Sequence, residues 1–238
     1  MKRKGQVTIF IIFAILIVAG TISYFVFRDS FQKEANIPEA TTLEIFVRDC
    51  INSQLPSAVQ YIGLRGGYNI LPEEKILLDS LEVAYGYDLG KNSLISFSEM
   101  EFQISSYLEE VLPLCVDEMA FPELVIETKN PLVKTTIQKK KVLVDVNYPL
   151  VVTQGDSTLI IENFKAEVFV ALGEMYGVAN NIVGEKLDSY YMDLNYLSEL
   201  DYNLEIFPVG NGVFIYSIID ENSKLEGGKF IFNFAVQK

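Results

Sequence analysis

From Gly5 to Phe27 the chain runs 23 positions without a charged residue, bounded by Lys2-Arg3-Lys4 before it and Arg28-Asp29 after it. As a helix rising about 1.5 Å per residue, this run covers roughly 34 Å, enough for the ~30 Å hydrocarbon core of a bilayer. In lipid every backbone polar group has to be satisfied within the segment, so helix is expected despite the Ile, Val and Phe content. Residues 6–27 are therefore expected to form a single transmembrane helix contacting the lipid bilayer. The basic residues within the segment 1–5 keep the N-terminus cytoplasmic and send the remaining chain out of the cytoplasm, at the cell membrane.

That placement changes the meaning of the charge and of the cysteines. Three of the 19 basic residues precede the apolar run, whereas all 32 acidic residues follow it, leaving 16 basic against 32 acidic residues and a net charge of −16 beyond it. Such a surface repels nucleic acid, so no nucleic-acid partner is expected. Histidine is absent, which removes Ser-His-Asp and Cys-His catalysis and histidine metal ligation. Two cysteines 65 positions apart, Cys50 and Cys115, do not make a clustered zinc site, and in an oxidising compartment they are expected to pair as a disulfide. No cofactor and no metal site is expected.

Residues 28–40 are polar and contain Pro38, and are expected as a stem. From Thr41, with Glu44 as a capping-box partner, Leu43, Phe46, Val47, Cys50, Ile51, Leu55, Val59 and Ile62 recur at helical spacing, ending at Gly66-Gly67. Tyr68–Leu71 and Leu81–Tyr87 read as short strands. A second helix is expected from Ser98, with Glu101 as its capping partner and a stripe from Ile104 through Cys115 to Met119. These elements form an expected helical lobe over 41–120. An antiparallel meander follows, with strands at Leu124–Glu127, Leu132–Gln138, Val142–Val152 and Thr158–Ile161. A third helix is expected from Phe164 to Val183, and a hairpin turns at Asn211-Gly212, where positive φ angles are needed. The alternation of Lys229–Val236 predicts a final strand. This second part, 121–238, is expected as a lobe of antiparallel sheet plus helix. The expected fold class is α+β: one N-terminal transmembrane helix, then an extracytoplasmic domain of helices packed with antiparallel sheet.

Lys-Arg-Lys-Gly followed by Gln6-Val7-Thr8-Ile9-Phe10 resembles the class III signal peptide of archaeal type IV pilin-like proteins. That resemblance implies cleavage between Gly5 and Gln6 by a prepilin peptidase. The family usually has glutamate where this chain has Phe10. More loosely, Cys50-Ile51, Gly66-Gly67-Tyr68, the Tyr107–Cys115 helix and the closing Phe230-x-Phe-x-Phe-Ala-Val resemble a set of uncharacterised archaeal membrane-anchored proteins, which implies an archaeal cell surface.

Among candidate sites, Tyr190, Tyr191, Asp193, Tyr196 and Tyr202 combine tyrosine rings with carboxylates, the mixture of flat apolar area and polar tips that grips a surface glycan or a protein partner. Lys139-Lys140-Lys141 offers charge to anionic headgroups or surface glycans but reads first as a solvated turn, and Asp220-Glu221-Asn222 lacks the glycine and bidentate glutamate of a calcium loop. The expected function is non-catalytic: a single-pass membrane-anchored surface protein for binding, adhesion or envelope organisation, compatible with a homo-oligomer. Two alternatives are a pilin-like filament subunit, whose mature chain begins at Gln6, and a carboxylate-dependent surface hydrolase. The hydrolase requires a concave site holding two close acids and no nearby lysine.

Overall fold

The computed structural model describes residues 17, 18, 21, 38–78, 80–116, 118–186, 201–225 and 228–237. Pro38, whose fixed φ suits a first helical turn, begins helix α1 (Pro38–Leu64). Because the helix already begins at Pro38, the capping box expected at Thr41 is not what starts it, and Glu44 accepts from Arg48 one turn on at 2.5 Å. The apolar stripe is as expected: Ala40, Leu43, Val47, Ile51, Leu55, Val59 and Ile62 are buried. At its end the Gly67 N–H donates to the Ile62 carbonyl at 2.8 Å. Gly66 and Gly67 reach this arrangement with φ of 79° and 96°, the left-handed region open to glycine.

Strands β1 (Lys75–Leu78), β2 (Leu81–Asp88) and β3 (Lys91–Asn92) precede α2 (Phe97–Val111), and then come β4 (Val125–Thr128), β5 (Leu132–Ile137), β6 (Val142–Gln154) and β7 (Ser157–Val168). Helix α3 (Leu172–Asn181) leads to a π-turn over Ile182–Lys186, and β8 (Asn203–Gly210), β9 (Val213–Leu225) and β10 (Gly228–Gln237) complete the described chain. One sheet has the order β1-β2-β10-β9-β8, with β3 beside β2. In the other, β6 is central, with β7 along one edge and β4 and β5 end to end along the other. Helix α1 packs against β7 of one sheet and β10 of the other, so the main core lies on both sides of it. The first sheet draws strands from both sides of residue 120.

Several expectations need correction. The expected fold class does not hold: among the described residues no helix is long and apolar enough to cross a membrane, and strands in two sheets dominate. The longest helix, α1, carries Glu39, Glu44, Arg48 and Asp49, charges that a lipid-embedded helix excludes. The run 6–27 lies outside the described residues except for Ile17, Val18 and Thr21, which are helical. Nor is the sheet purely antiparallel, since β10 pairs with β2 in parallel. Phe164–Val168, expected to open the third helix, belongs to β7. There Phe164, Ala166 and Val168 are buried while Lys165 and Glu167 between them are exposed, an alternation of period two.

Tyr68–Leu71 is not a strand, because the Asn69 and Ile70 N–H groups both donate to Gln103 Oε1 at 2.9 Å. Helix α2 is capped by Ser96, whose hydroxyl accepts from the Glu99 N–H at 3.2 Å. It stops at Val111 before the 3-10 turn Leu112–Cys115, which contains Pro113. Met119 is therefore exposed and not on a helical stripe.

Glu101, expected as a cap, has another task. Its Oε1 accepts from the Ile137 N–H at 2.8 Å, Ser105 Oγ accepts from the Thr135 N–H at 3.1 Å, and Glu109 Oε1 accepts from the Val133 N–H at 2.8 Å. Every fourth residue of α2 thus takes an outward N–H from every second residue of β5. Unpaired edge donors, which invite aggregation, are satisfied by a helix.

The disulfide expectation holds. Cys50 on α1 and Cys115 in the 3-10 turn are joined, with Cα atoms 5.9 Å apart and a sequence separation of 65. Replacing both cysteines with serine is expected to cost about 4 kcal/mol by the loop-entropy model, measured by denaturant unfolding of oxidised wild type against the variant. Ser105→Ala strands the buried Thr135 N–H and is expected to cost about 1–3 kcal/mol, whereas exposed Glu110→Ala stays within about 0.5 kcal/mol in the same unfolding assay.

Candidate functional site

Asp220 is the starting point because a buried carboxylate requires partners. It is 4% exposed, and Oδ1 accepts from the Asn222 N–H at 2.9 Å while Oδ2 accepts from the Ser223 hydroxyl. This local clasp exists because β9 bulges. Phe230 of β10 pairs with Asp220, but Gly228 pairs with Leu225, so four residues of β9 oppose one of β10. A bulge re-aims side chains that a regular ladder would send to alternate faces. Here it turns Asp220, Asn222 and Ser223 toward a common concavity.

That concavity is a cleft of about 440 Å³. Its other walls come from three more segments: Lys140 from the turn between β5 and β6, Phe169 to Ala171 from the link between β7 and α3, and Asp201-Tyr202 just before β8. The turn is pinned to α3 by its backbone, since the Glu174 N–H donates to the Lys139 carbonyl and the Val170 N–H to the Lys140 carbonyl, both at 3.1 Å. Gly173 permits this approach: a Cβ there would lie 2.4 Å from the Gln138 carbonyl oxygen.

Tyr202 joins the walls. Its hydroxyl donates to Glu174 Oε2 at 2.5 Å, and Lys140 Nζ lies 3.7 Å from the same oxygen. Burial, the Glu174 hydrogen bond and the charges of Glu174, Asp220 and Asp201 push the Tyr202 phenol well above its ordinary range. It remains a neutral donor across physiological pH. Phe169 is 66% exposed, so its ring is open to solvent beside these polar groups.

A second groove, of about 470 Å³, runs over β5, β6 and β7, with the Lys165–Asp145 ion pair at 2.9 Å beside Leu132, Asn147 and Asn163. It has no buried, fixed carboxylate. Among the described residues no group of three or more His, Cys, Asp or Glu side chains could hold a metal ion.

Of the residues singled out from sequence, Cys50 and Cys115 are joined and Tyr202 lines the first cleft. Tyr190, Tyr191, Asp193 and Tyr196 lie outside the described residues, as do Gly5 and Gln6. The sequence offers Lys140 as a headgroup or glycan contact within a turn that reads first as solvated, but gives no sign of Phe169, Asn222 or Ser223 as ligand contacts. The lysine turn and the Asp220-Glu221-Asn222 stretch are visible in sequence, but nothing local shows that they converge. Asp201 and Asp220 share the cleft with Lys140, so the lysine-free condition set for a carboxylate hydrolase is not met there. No protein-family model, no curated protein and no solved structure matches this chain.

Because burial also raises Tyr68, Tyr85, Tyr148, Tyr176 and Tyr216, alkaline titration followed by phenolate absorbance is expected to lag behind that of free tyrosine. Tyr202→Phe should remove one tyrosine from the latest phase. A phenol raised in the folded state stabilises fully below about pH 10, and this contribution is lost as pH climbs from there toward the raised value. Tyr202→Phe should therefore flatten the fall of stability over that alkaline window.

Proposed function

We propose that this protein is a non-catalytic surface component, held at the membrane through residues 6–27, whose cleft between β9, α3 and the turn after β5 binds a surface glycan. The carrying observation is the lining of that cleft. One exposed ring, Phe169, stands beside carboxylate, amide, hydroxyl and ammonium groups contributed by Asp201, Asn222, Ser223 and Lys140. Sugars present both C–H faces and closely spaced hydroxyls. A flat ring covers the former while carboxylates and amides bridge the latter.

Two observations support the setting. The Cys50–Cys115 disulfide fits an oxidising exterior. The uncharged run with Lys2, Arg3 and Lys4 before it fits a segment held in lipid with the following chain outside. The non-catalytic character of the proposal draws on the absence of histidine and on the engagement of Asp220 by Asn222 and Ser223, which ties up a carboxylate that general acid or base work would need free.

Detergent-solubilised full-length protein applied to an array of surface glycans is expected to retain a specific saccharide class. Phe169→Ala and Asp201→Asn, both at exposed positions, should each weaken that binding about tenfold, the equivalent of about 1.4 kcal/mol. Binding that is absent, or unchanged in both variants, would sink the assignment.

A further inference from the structure

Large apolar side chains are exposed together around the disulfide. On α1, Ile45 and Phe46 are 54% and 44% exposed, and Phe46 lies one turn before Cys50. Leu114, immediately before Cys115, is 83% exposed, and Met119 is 91% exposed. The Phe46 ring is 5.7 Å from that of Phe121, two residues beyond Met119. The crosslink and this ring pair therefore hold two separate chain segments in one apolar patch at the N-terminal third of α1. Large apolar side chains exposed side by side are a mark of interaction surfaces.

The position of the patch in the chain says what meets it. Ten residues, 28–37, separate the uncharged run from Pro38, a tether of at most about 40 Å when fully extended. Phe46 lies about 12 Å along the helix axis from Pro38. The part of the fold closest in sequence to that run, the start of α1, thus exposes Ile45 and Phe46, and the disulfide and the Phe46–Phe121 pair bring Leu114 and Met119 to the same end. The nearby charges, Glu44 paired with Arg48, exposed Asp49, and Asp117 and Glu118 just before Met119 in sequence, give the patch no cationic surplus with which to seek anionic headgroups.

Resting on the membrane reading above, we propose that this patch is a foot. Leu114, Met119, Ile45 and Phe46 sit in the headgroup region of the same bilayer and fix the domain's orientation on it. Apolar side chains at such an interface bury about 5–10 Å into the headgroup and acyl boundary. The glycan cleft is then presented at a set angle and is not left to swing on its tether.

The chain contains no tryptophan, so a single introduced indole reports one site. The full chain is reconstituted into phosphatidylcholine vesicles carrying an acyl-chain spin-labelled phosphatidylcholine, with Leu114→Trp, Met119→Trp or, as control, Phe207→Trp on the edge strand β8. Blue-shifted emission is expected from Leu114→Trp and Met119→Trp, quenched at least twofold more than Phe207→Trp, in protein that floats with the vesicles. Water-like emission equal to the control in floating protein overturns the foot and leaves the anchor standing. Blue-shifted emission without lipid quenching also overturns it, assigning the patch to a second copy or to residues 28–37. Protein that does not float with vesicles overturns the membrane reading and the foot with it.

Discussion

Leu43, Val47, Ile51, Leu55, Val59 and Ile62 of α1 are at most 1% exposed, enclosed between β7 of one sheet and β10 of the other. Each such side chain contributes roughly 1.5–3 kcal/mol when moved from water into a packed interior, and among the described residues no other helix touches both sheets so extensively. Phe230, Phe232 and Phe234 of β10 are fully buried, on the core side of their strand. Gly63 allows the closest approach: a Cβ there would lie 2.8 Å from the Phe230 ring and from the Ile231 carbonyl oxygen. At the helix end, the buried Asn233 side chain donates to the Leu64 carbonyl at 3.0 Å and accepts from the Ser217 hydroxyl at 2.7 Å. One orphan helix carbonyl is thereby satisfied from the sheet itself.

The second helix solves a different problem by matching periods. Four residues of helix rise about 6 Å, and two residues of strand span about 6.6 Å. Glu101, Ser105 and Glu109 can therefore keep step with Ile137, Thr135 and Val133 along the whole edge of β5. The disulfide then joins the far end of this helical unit to α1, tying the edge cover, the central helix and the 3-10 turn together covalently. The apolar patch around Phe46 and Leu114 lies at that join, where the crosslink and the Phe46–Phe121 ring pair bring the two segments together.

The cleft is built the opposite way, from a departure from regularity. Were β9 to pair with β10 without its four-residue bulge, Asp220 and Ser223, three positions apart, would point to opposite faces and could not clasp. Tyr202 and Lys140 meet at Glu174 from segments more than 60 residues apart in sequence, closing the wall opposite the bulge. No periodicity announces such a convergence.

Some outcomes the sequence alone determined: the stripe of α1, its glycine stop, the Asn211-Gly212 turn with φ of 50° and 76° and the strand character of β10 follow from side-chain spacing and backbone sterics. The pairing of Cys50 with Cys115 was legible too, because the chain has no other thiol to offer either one. Tertiary structure decided the parallel seating of β10 beside β2, the extension of β7 through Val168 and the assignment of Glu101 to a strand edge in place of a cap. It also decided which of the scattered acids, amides and rings share a cleft. A hydrogen-bonding side chain or an apolar residue has several partners of nearly equal worth within reach of its sequence, and only the packing of α1 between two sheets selects among them.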